Sequence, residues 1–222
     1  MNKIYSSGHT KFIDKIILKK RQEILSIINS YIKDIDIYDA LDIGTTEDTF
    51  NKSSNYLIKN LINIKKFKSI SDQNLKDNFF EKILQKSITE NYSDEETNVF
   101  KSDLTLSNAT IEHVGSFNNQ LQMVKNMNKL SKKIFIIITP NRYHPLDFHS
   151  KLPFIHWLPK KIHRIFLRLF KFRDLSKEEN LNLLSESDLK NIFREAGIDK
   201  YNIFYIRLFG FKSNLIFIGK AN

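Results

Sequence analysis

The segment Ser102-Asp-Leu-Thr-Leu-Ser-Asn-Ala-Thr-Ile-Glu-His-Val-Gly115 decides how this chain is read. Residues 104–108 form a short strand-like run that ends in Ser107-Asn108 and then turns into Glu112-His113. A buried strand of this kind delivers polar side chains to the carboxyl edge of a parallel sheet, where open α/β sheets bind their ligands. Glu112 and His113 carry the chemistry of the segment. Histidine titrates near neutral pH and suits general-base work. The plainer use of the pair is a helix cap or a local ion pair, and both uses stay open.

The surrounding pattern alternates. Residues 11–33 place Ile13, Ile16, Ile17, Ile24, Ile27, Ile28 and Tyr31 at helical spacing. Residues 38–43 predict a strand that stops at Gly44, and residues 51–64 a helix with Leu57, Leu61 and Ile64 on one face. A second strand is predicted over 67–71, ending before Asp72, then a helix over 75–85 and a very short third strand over 87–89. Residues 118–130 predict a helix, and the apolar run 134–138 (Ile-Phe-Ile-Ile-Ile) a strand buried on both faces. Ser185 opens a helix over 185–196 that stops before Gly197. Residues 202–209 and 215–218 predict a closing hairpin around Gly210. Strand–helix alternation implies an α/β fold, a mostly parallel sheet with helices on both faces and one antiparallel strand at the end.

Composition sets the limits. The 222 residues suit one domain over 1–222, and 41% hydrophobic residues supply a full core. There is no cysteine, which excludes disulfide and thiolate chemistry. The opening Met-Asn-Lys-Ile-Tyr-Ser-Ser-Gly-His lacks the apolar core of a signal peptide, so a cytoplasmic location is expected. A net charge of +10 points to an anionic partner. Nucleic acid is the weaker choice, because no basic–aromatic repeat or separate binding module is present.

The turn Asp42-Ile-Gly44 joined to the Ser107–His113 segment resembles the class I S-adenosylmethionine-dependent methyltransferases, over roughly residues 36–220. The resemblance implies a Rossmann-like, doubly wound, seven-stranded sheet whose last strand runs antiparallel. It implies S-adenosylmethionine as cofactor, S-adenosylhomocysteine as product, and a small-molecule acceptor. Asp42, Gly44, Thr45, Thr46, Asp72, Thr89, Ser107, Asn108 and Glu112 stand where the family holds its cofactor. His113, His144 and His149 stand near the acceptor as catalytic candidates. In the first loop only Asp42 and Gly44 match the family's glycine-rich pattern. A non-catalytic binding protein on a degenerate methyltransferase fold is therefore the alternative.

Residues 141–184 depart from the family as a long insertion, and a long ordered insertion is usually functional. Its first part, Arg142-Tyr-His-Pro-Leu-Asp-Phe-His149 followed by Trp157, suits a lid in which Arg142, Tyr143 and Trp157 contact a sugar or a heteroaromatic ring. The plainer reading is that Phe154, Trp157 and the prolines simply pack the loop. No metal is expected: His144, Asp147 and His149 lie in a Pro-broken loop with no helical His pair and no cysteine nearby. The runs 107–114 and 139–149 resemble a methyltransferase type 11-like bacterial subgroup acting on small molecules, which implies a glycan or surface-polysaccharide precursor as acceptor. Residues 159–172 spell a basic amphipathic helix with Ile162, Ile165, Phe166, Leu169 and Phe170 on one face. That pattern fits peripheral contact with an inner membrane face, or packing on the domain or on a second subunit of a homodimer.

Overall fold

The computed structural model describes residues 11–48 and 51–221, with side chains from Lys15 onward. The opening residues read for a leader lie outside the described residues. Among those described, no helix is long and apolar enough to cross a membrane.

Seven strands form one sheet: β1 (Asp39–Ile43), β2 (Lys66–Ser71), β3 (Lys82–Gln85), β4 (Ser102–Asn108), β5 (Ser131–Pro140), β6 (Tyr201–Leu208) and β7 (Phe211–Lys220). Their order is β3-β2-β1-β4-β5-β7-β6. The first five pair in parallel, and β7 runs antiparallel to both β5 and β6. This is the expected doubly wound sheet with an antiparallel last strand. The apolar run of β5 is buried from Ile134 to Ile138 because both faces are covered.

Alternation along each strand sends side chains to two cores. Helix α1 (Lys11–Ile32) packs Ile24, Ile28 and Ile32 against Leu104, Leu106, Ile136 and Ile216 on one face. On the other, α4 (Phe117–Lys129) and α6 (Glu186–Glu195) pack Met123, Met127, Ile192 and Phe193 against Leu41, Phe135, Ile137 and Phe217. Gly219 is the small residue that lets the Phe135 ring lie flat on β7, since a Cβ there would sit 2.3 Å from the ring.

Three expected elements differ. The helix over 51–64 shrinks to α2 (Tyr56–Lys59), because Asn55 takes left-handed backbone (φ 53) before it and the chain leaves helical backbone at Asn60 (φ −121) after it. The helix over 75–85 is absent, and its last four residues are β3, drawn into parallel pairing with Lys68–Ser71. Residues 87–89, read as the third strand, form a turn closed by the Glu90 amide donating to the Ser87 carbonyl. Helix α3 (Asp94–Phe100) was not anticipated, although its capping box was readable: Ser93 accepts from the Glu96 amide and Glu96 accepts from the Ser93 amide.

The amino edge of the sheet is fixed by a buried ion pair. Asp39 accepts from Lys68 Nζ at 2.9 Å and from the Asp103 amide at 2.8 Å, and all three residues are buried. Burial alone would raise the Asp39 pKa, but Lys68 and the Asp103 amide bring it below its ordinary value. Removing one member strands the other charge. Asp39→Ala should therefore cost about 3–5 kcal/mol in urea unfolding, and adding Lys68→Met should restore most of it.

Candidate functional site

The strand order reverses between β1 and β4, the point at which such sheets bind ligands. Two turns meet there. Ser107 and Thr110 both donate their hydroxyls to the Ile43 carbonyl, at 3.2 and 3.3 Å. Gly44 has φ +82, and a Cβ on it would lie 2.3 Å from Thr110 Oγ1. Only glycine allows the two turns to come this close.

The turn after β1 is tied inward. Asp42 is buried and accepts from Thr45 Oγ1 at 2.6 Å. Thr45 in turn accepts from Ser69 Oγ, and its carbonyl from Ser71 Oγ, both at 2.7 Å. The backbone amides that follow bond to side chains: Thr46 to Asn55, Glu47 to Gln73 and Asp48 to Thr46. Burial pushes the Asp42 carboxyl up to about 6, against the Thr45 hydrogen bond, which favours the ionised form. Asp72 follows β2 on the same edge and is exposed. Asn108 is half-buried at the end of β4. Thr89 lies beyond β3 in the turn noted above, its hydroxyl 2.9 Å from that of Ser87.

A second group lies after β4. A short 3-10 turn, Ile111–His113, buries Glu112 completely. Glu112 Oε2 accepts from Thr139 Oγ1 at 2.8 Å, whereas Oε1 is buried with no hydrogen-bond partner among the described residues. His113 Nδ1 lies 2.7 Å from the Asn180 carbonyl, and His149 Nδ1 lies 3.3 Å from Asp147 Oδ1. Carbonyl and carboxylate oxygens only accept, so both Nδ1 atoms carry hydrogen. The two Nε2 atoms then face each other at 3.2 Å, with Glu112 Oε1 3.9 Å from one and 4.0 Å from the other. Burial lowers the His113 pKa, helped by the neighbouring His149. Burial would lower that of His149 too, but the Asp147 carboxylate outweighs it and raises the pKa.

The insertion stands at the carboxyl edge. Its end is sewn to the Glu112 turn: the Asn182 amide donates to the Glu112 carbonyl and Asn182 Nδ2 to the Gly115 carbonyl, each at 2.7 Å. Of the insertion's candidates, only His149 reaches the Glu112–His113 pair. His144 is buried, its ring stacked on Phe148 at 4.8 Å, with Nδ1 beside the Leu146 carbonyl. The Arg142 guanidinium donates to the carbonyls of His156 and Leu158 and so holds the loop's shape. Tyr143 and Trp157 are exposed. Asn180, Asn182 and Thr139 support the site without having been legible in the sequence, because their partners lie far away along the chain.

Helix α5 (Lys160–Leu169) covers Leu175, Leu181 and Leu183 with Leu167. Pro159 stands just before it rather than as its first residue. Its apolar face does not pack on the domain: Ile165, Leu169 and Phe170 are 54%, 70% and 50% exposed. Lys161, Arg168 and Lys171 are exposed beside it, while Lys160 and Arg164 bond internally to Asn182 and Glu178.

No family model matches the sequence. No curated protein matches it either. Solved structures match over most of the chain. The magnesium protoporphyrin IX methyltransferase of Synechocystis PCC 6803 with bound S-adenosylhomocysteine is 12% identical, with a TM-score of 0.55 over 99% of this chain and 92% of that one. The 1,6-didemethyltoxoflavin-N1-methyltransferase of Burkholderia thailandensis is 9% identical, with a TM-score of 0.55 over 91% and 78%. A methyltransferase of Methanosarcina mazei is 13% identical, with a TM-score of 0.54 over 88% and 96%. At such identities the likeness defines the fold, and the fold is that of the class I S-adenosylmethionine-dependent methyltransferases.

The raised Asp42 pKa has a stability consequence. The folded state keeps a proton that the unfolded chain releases from its ordinary 3.8 upward. Stability should thus fall as pH rises from about 4 to about 6, by about 3 kcal/mol from this group. Urea titrations should show that slope in the wild type and its loss in Asp42→Asn.

Proposed function

We propose that the chain is an S-adenosylmethionine-dependent methyltransferase acting on a small polar acceptor. The observation that carries this reading is the buried Asp42 carboxyl at the β1–β4 switch point, beside a glycine that only this turn geometry requires. A buried carboxylate with no cationic side chain against it among the described residues is a built place for a ligand cation. Asp72, exposed at the end of β2, suits a ribose diol, because one carboxylate accepts from two hydroxyls. Gly44, Thr45, Thr46, Ser107, Asn108 and Glu112 complete that edge, with Thr89 at its margin. When bound, S-adenosylmethionine supplies an electrophilic methyl group on a sulfonium sulfur. The protein's task is to align an acceptor atom with that methyl and to exclude water, and alignment of this kind is worth several kcal/mol. His149 and His113 stand within one hydrogen bond of each other and can hold a proton released by an acceptor hydroxyl.

The bonded amides of Thr46, Glu47 and Asp48 favour the second reading, a binding protein that kept the fold. Their partners are side chains of surface loops, which exchange for a ligand more easily than a strand ladder. S-adenosylmethionine should raise the melting temperature, and Asp42→Ala should abolish the rise. Because a cation needs the ionised carboxyl, calorimetric affinity should climb as pH passes through about 6 and level off above it. No binding at millimolar cofactor would leave the degenerate-fold reading.

The acceptor class follows from the insertion, as part of the same proposal. Exposed Tyr143 and Trp157 on the element that carries His149 suit the faces of a sugar, and the excess positive charge suits an anionic or lipid-linked glycan. The free face of α5, with Lys161, Arg168 and Lys171 beside it, fits an anionic membrane surface. Anionic vesicles should co-sediment the protein, neutral vesicles and high salt should not, and Leu169→Glu with Phe170→Glu should abolish it. Equal sedimentation of wild type and variant rejects the membrane. A dimer dissociated by the same variant assigns the face to a second copy instead.

A further inference from the structure

We propose that Glu112, His113 and His149 form a binding site for a divalent transition-metal ion. The three ligand atoms, Glu112 Oε1 and the two Nε2, stand at 3.2, 3.9 and 4.0 Å from one another. A triangle with those sides has a centre about 2.2 Å from each corner, close to bonds from zinc to imidazole nitrogen and carboxylate oxygen. One point therefore satisfies all three side chains without moving any of them.

The orientation of the groups is as telling as their spacing. Each imidazole is aimed by a hydrogen bond from its far nitrogen, His113 to the Asn180 carbonyl and His149 to the Asp147 carboxylate. Asp147 is itself fixed by the Ser150 amide and hydroxyl. The third group is aimed likewise, since Thr139 holds Glu112 Oε2 and leaves Oε1 turned toward the imidazoles. Metal sites use such outer contacts to set the tautomer and direction of their ligands. A buried carboxyl oxygen with no hydrogen-bond partner costs free energy in a protein that binds nothing there. In the neutral tautomers two ring lone pairs also converge at 3.2 Å, an arrangement that a metal ion relieves as a shared proton does.

The donor set selects the ion. Two imidazoles and one carboxylate suit zinc, manganese, iron or cobalt, and three protein ligands leave coordination positions open. Magnesium and calcium prefer oxygen-only sets. The side chains of His113 and His149 are 16% and 13% exposed, so the site is largely shielded from water but not sealed. An ion here would join the β4 turn to the insertion across a sequence separation of 36 residues. With the ion bound neither imidazole has a free nitrogen for a proton, and an acceptor hydroxyl at an open position would instead have its pKa lowered by the ion. That last role rests on the methyl-transfer reading, whereas ion binding does not.

The test uses the full chain stripped with chelator, then titrated with Zn²⁺ by calorimetry and with Co²⁺ by visible absorption, without cofactor. The wild type should bind one equivalent, gain a visible Co²⁺ band and melt at a higher temperature with Zn²⁺, with no response to Mg²⁺. Glu112→Gln and His149→Ala should each weaken binding by at least about 100-fold, beyond the 10–100-fold of an outer contact. Asp147→Asn should weaken it within that smaller range. Circular dichroism of the apo variants checks that they fold, and His149→Ala serves if Glu112→Gln does not. No saturable Co²⁺ spectrum in the wild type, or binding unchanged in both ligand variants, overturns the site. S-adenosylmethionine binding measured on the stripped protein stands or falls separately.

Discussion

A carboxyl group buried to zero exposure is the constraint around which the rest of the site is organised. Glu112 turns into the protein immediately after β4 and needs partners there, because an unsatisfied buried charge costs several kcal/mol. Thr139, near the end of β5, supplies one. The Glu112 carbonyl accepts from the amide of Asn182, which carries the returning limb of the insertion back to the sheet. Gln120 of α4 donates to the carbonyls of Ile111 and Asn182 and closes the same junction from below. The side chain and backbone of this one turn thereby tie together two parallel strands, a helix and a long excursion of the chain.

The first loop solves a related problem with different means. A glycine-rich turn offers bare amides to a ligand. Here threonines occupy those places, and Thr45 turns inward to Asp42 and Ser69 while its carbonyl meets Ser71. The turn is held by hydroxyls rather than by glycine's freedom. Only Gly44 remains, at the one position where a side chain would collide with Thr110. The cost is an acid held half-neutral near pH 6, and a cation arriving beside it would reverse that.

How much of this was legible follows from the range of the interactions involved. The strand β5 announced itself because burial on both faces leaves a continuous apolar signature, whereas β1 and β4 were marked by short apolar stretches that run into a turn. The hairpin was marked by Gly210, and α6 by its capping serine. The helices expected over 51–64 and 75–85 failed for a common reason. Their apolar spacing suited a helix, but the left-handed Asn55 and the non-helical turn at Asn60 cut the first short, and pairing with β2 captured the end of the second, a tertiary choice that local periodicity does not record. Among the candidate residues, Asp42, Gly44, Glu112 and His113 were readable because they lie at the end of a strand or in the turn after it. The meeting of His149 with His113 was not, since nothing local in Pro145–Ser150 states where the loop lands. His144 has the same composition around it and ends up packed on Phe148, inside the insertion.

The insertion thus divides its residues between two surfaces. His149 and Asp147 face the sheet edge, and Asn180 and Asn182 anchor the return. Between them the chain builds a small core of its own, with Leu167 of α5 against Leu175, Leu181 and Leu183. That core uses only the inner side of α5. The outer side leaves Ile165, Leu169 and Phe170 in water, an exposure that a helix covering the domain would not keep. Its basic neighbours sort in part the same way: Lys160, Arg164 and Arg168 bond internally to Asn182, Glu178 and Ser176, whereas Lys161 and Lys171 lie exposed. Charge and apolar surface are therefore both unspent on one side of one element, and that element is attached to the loop that carries His149.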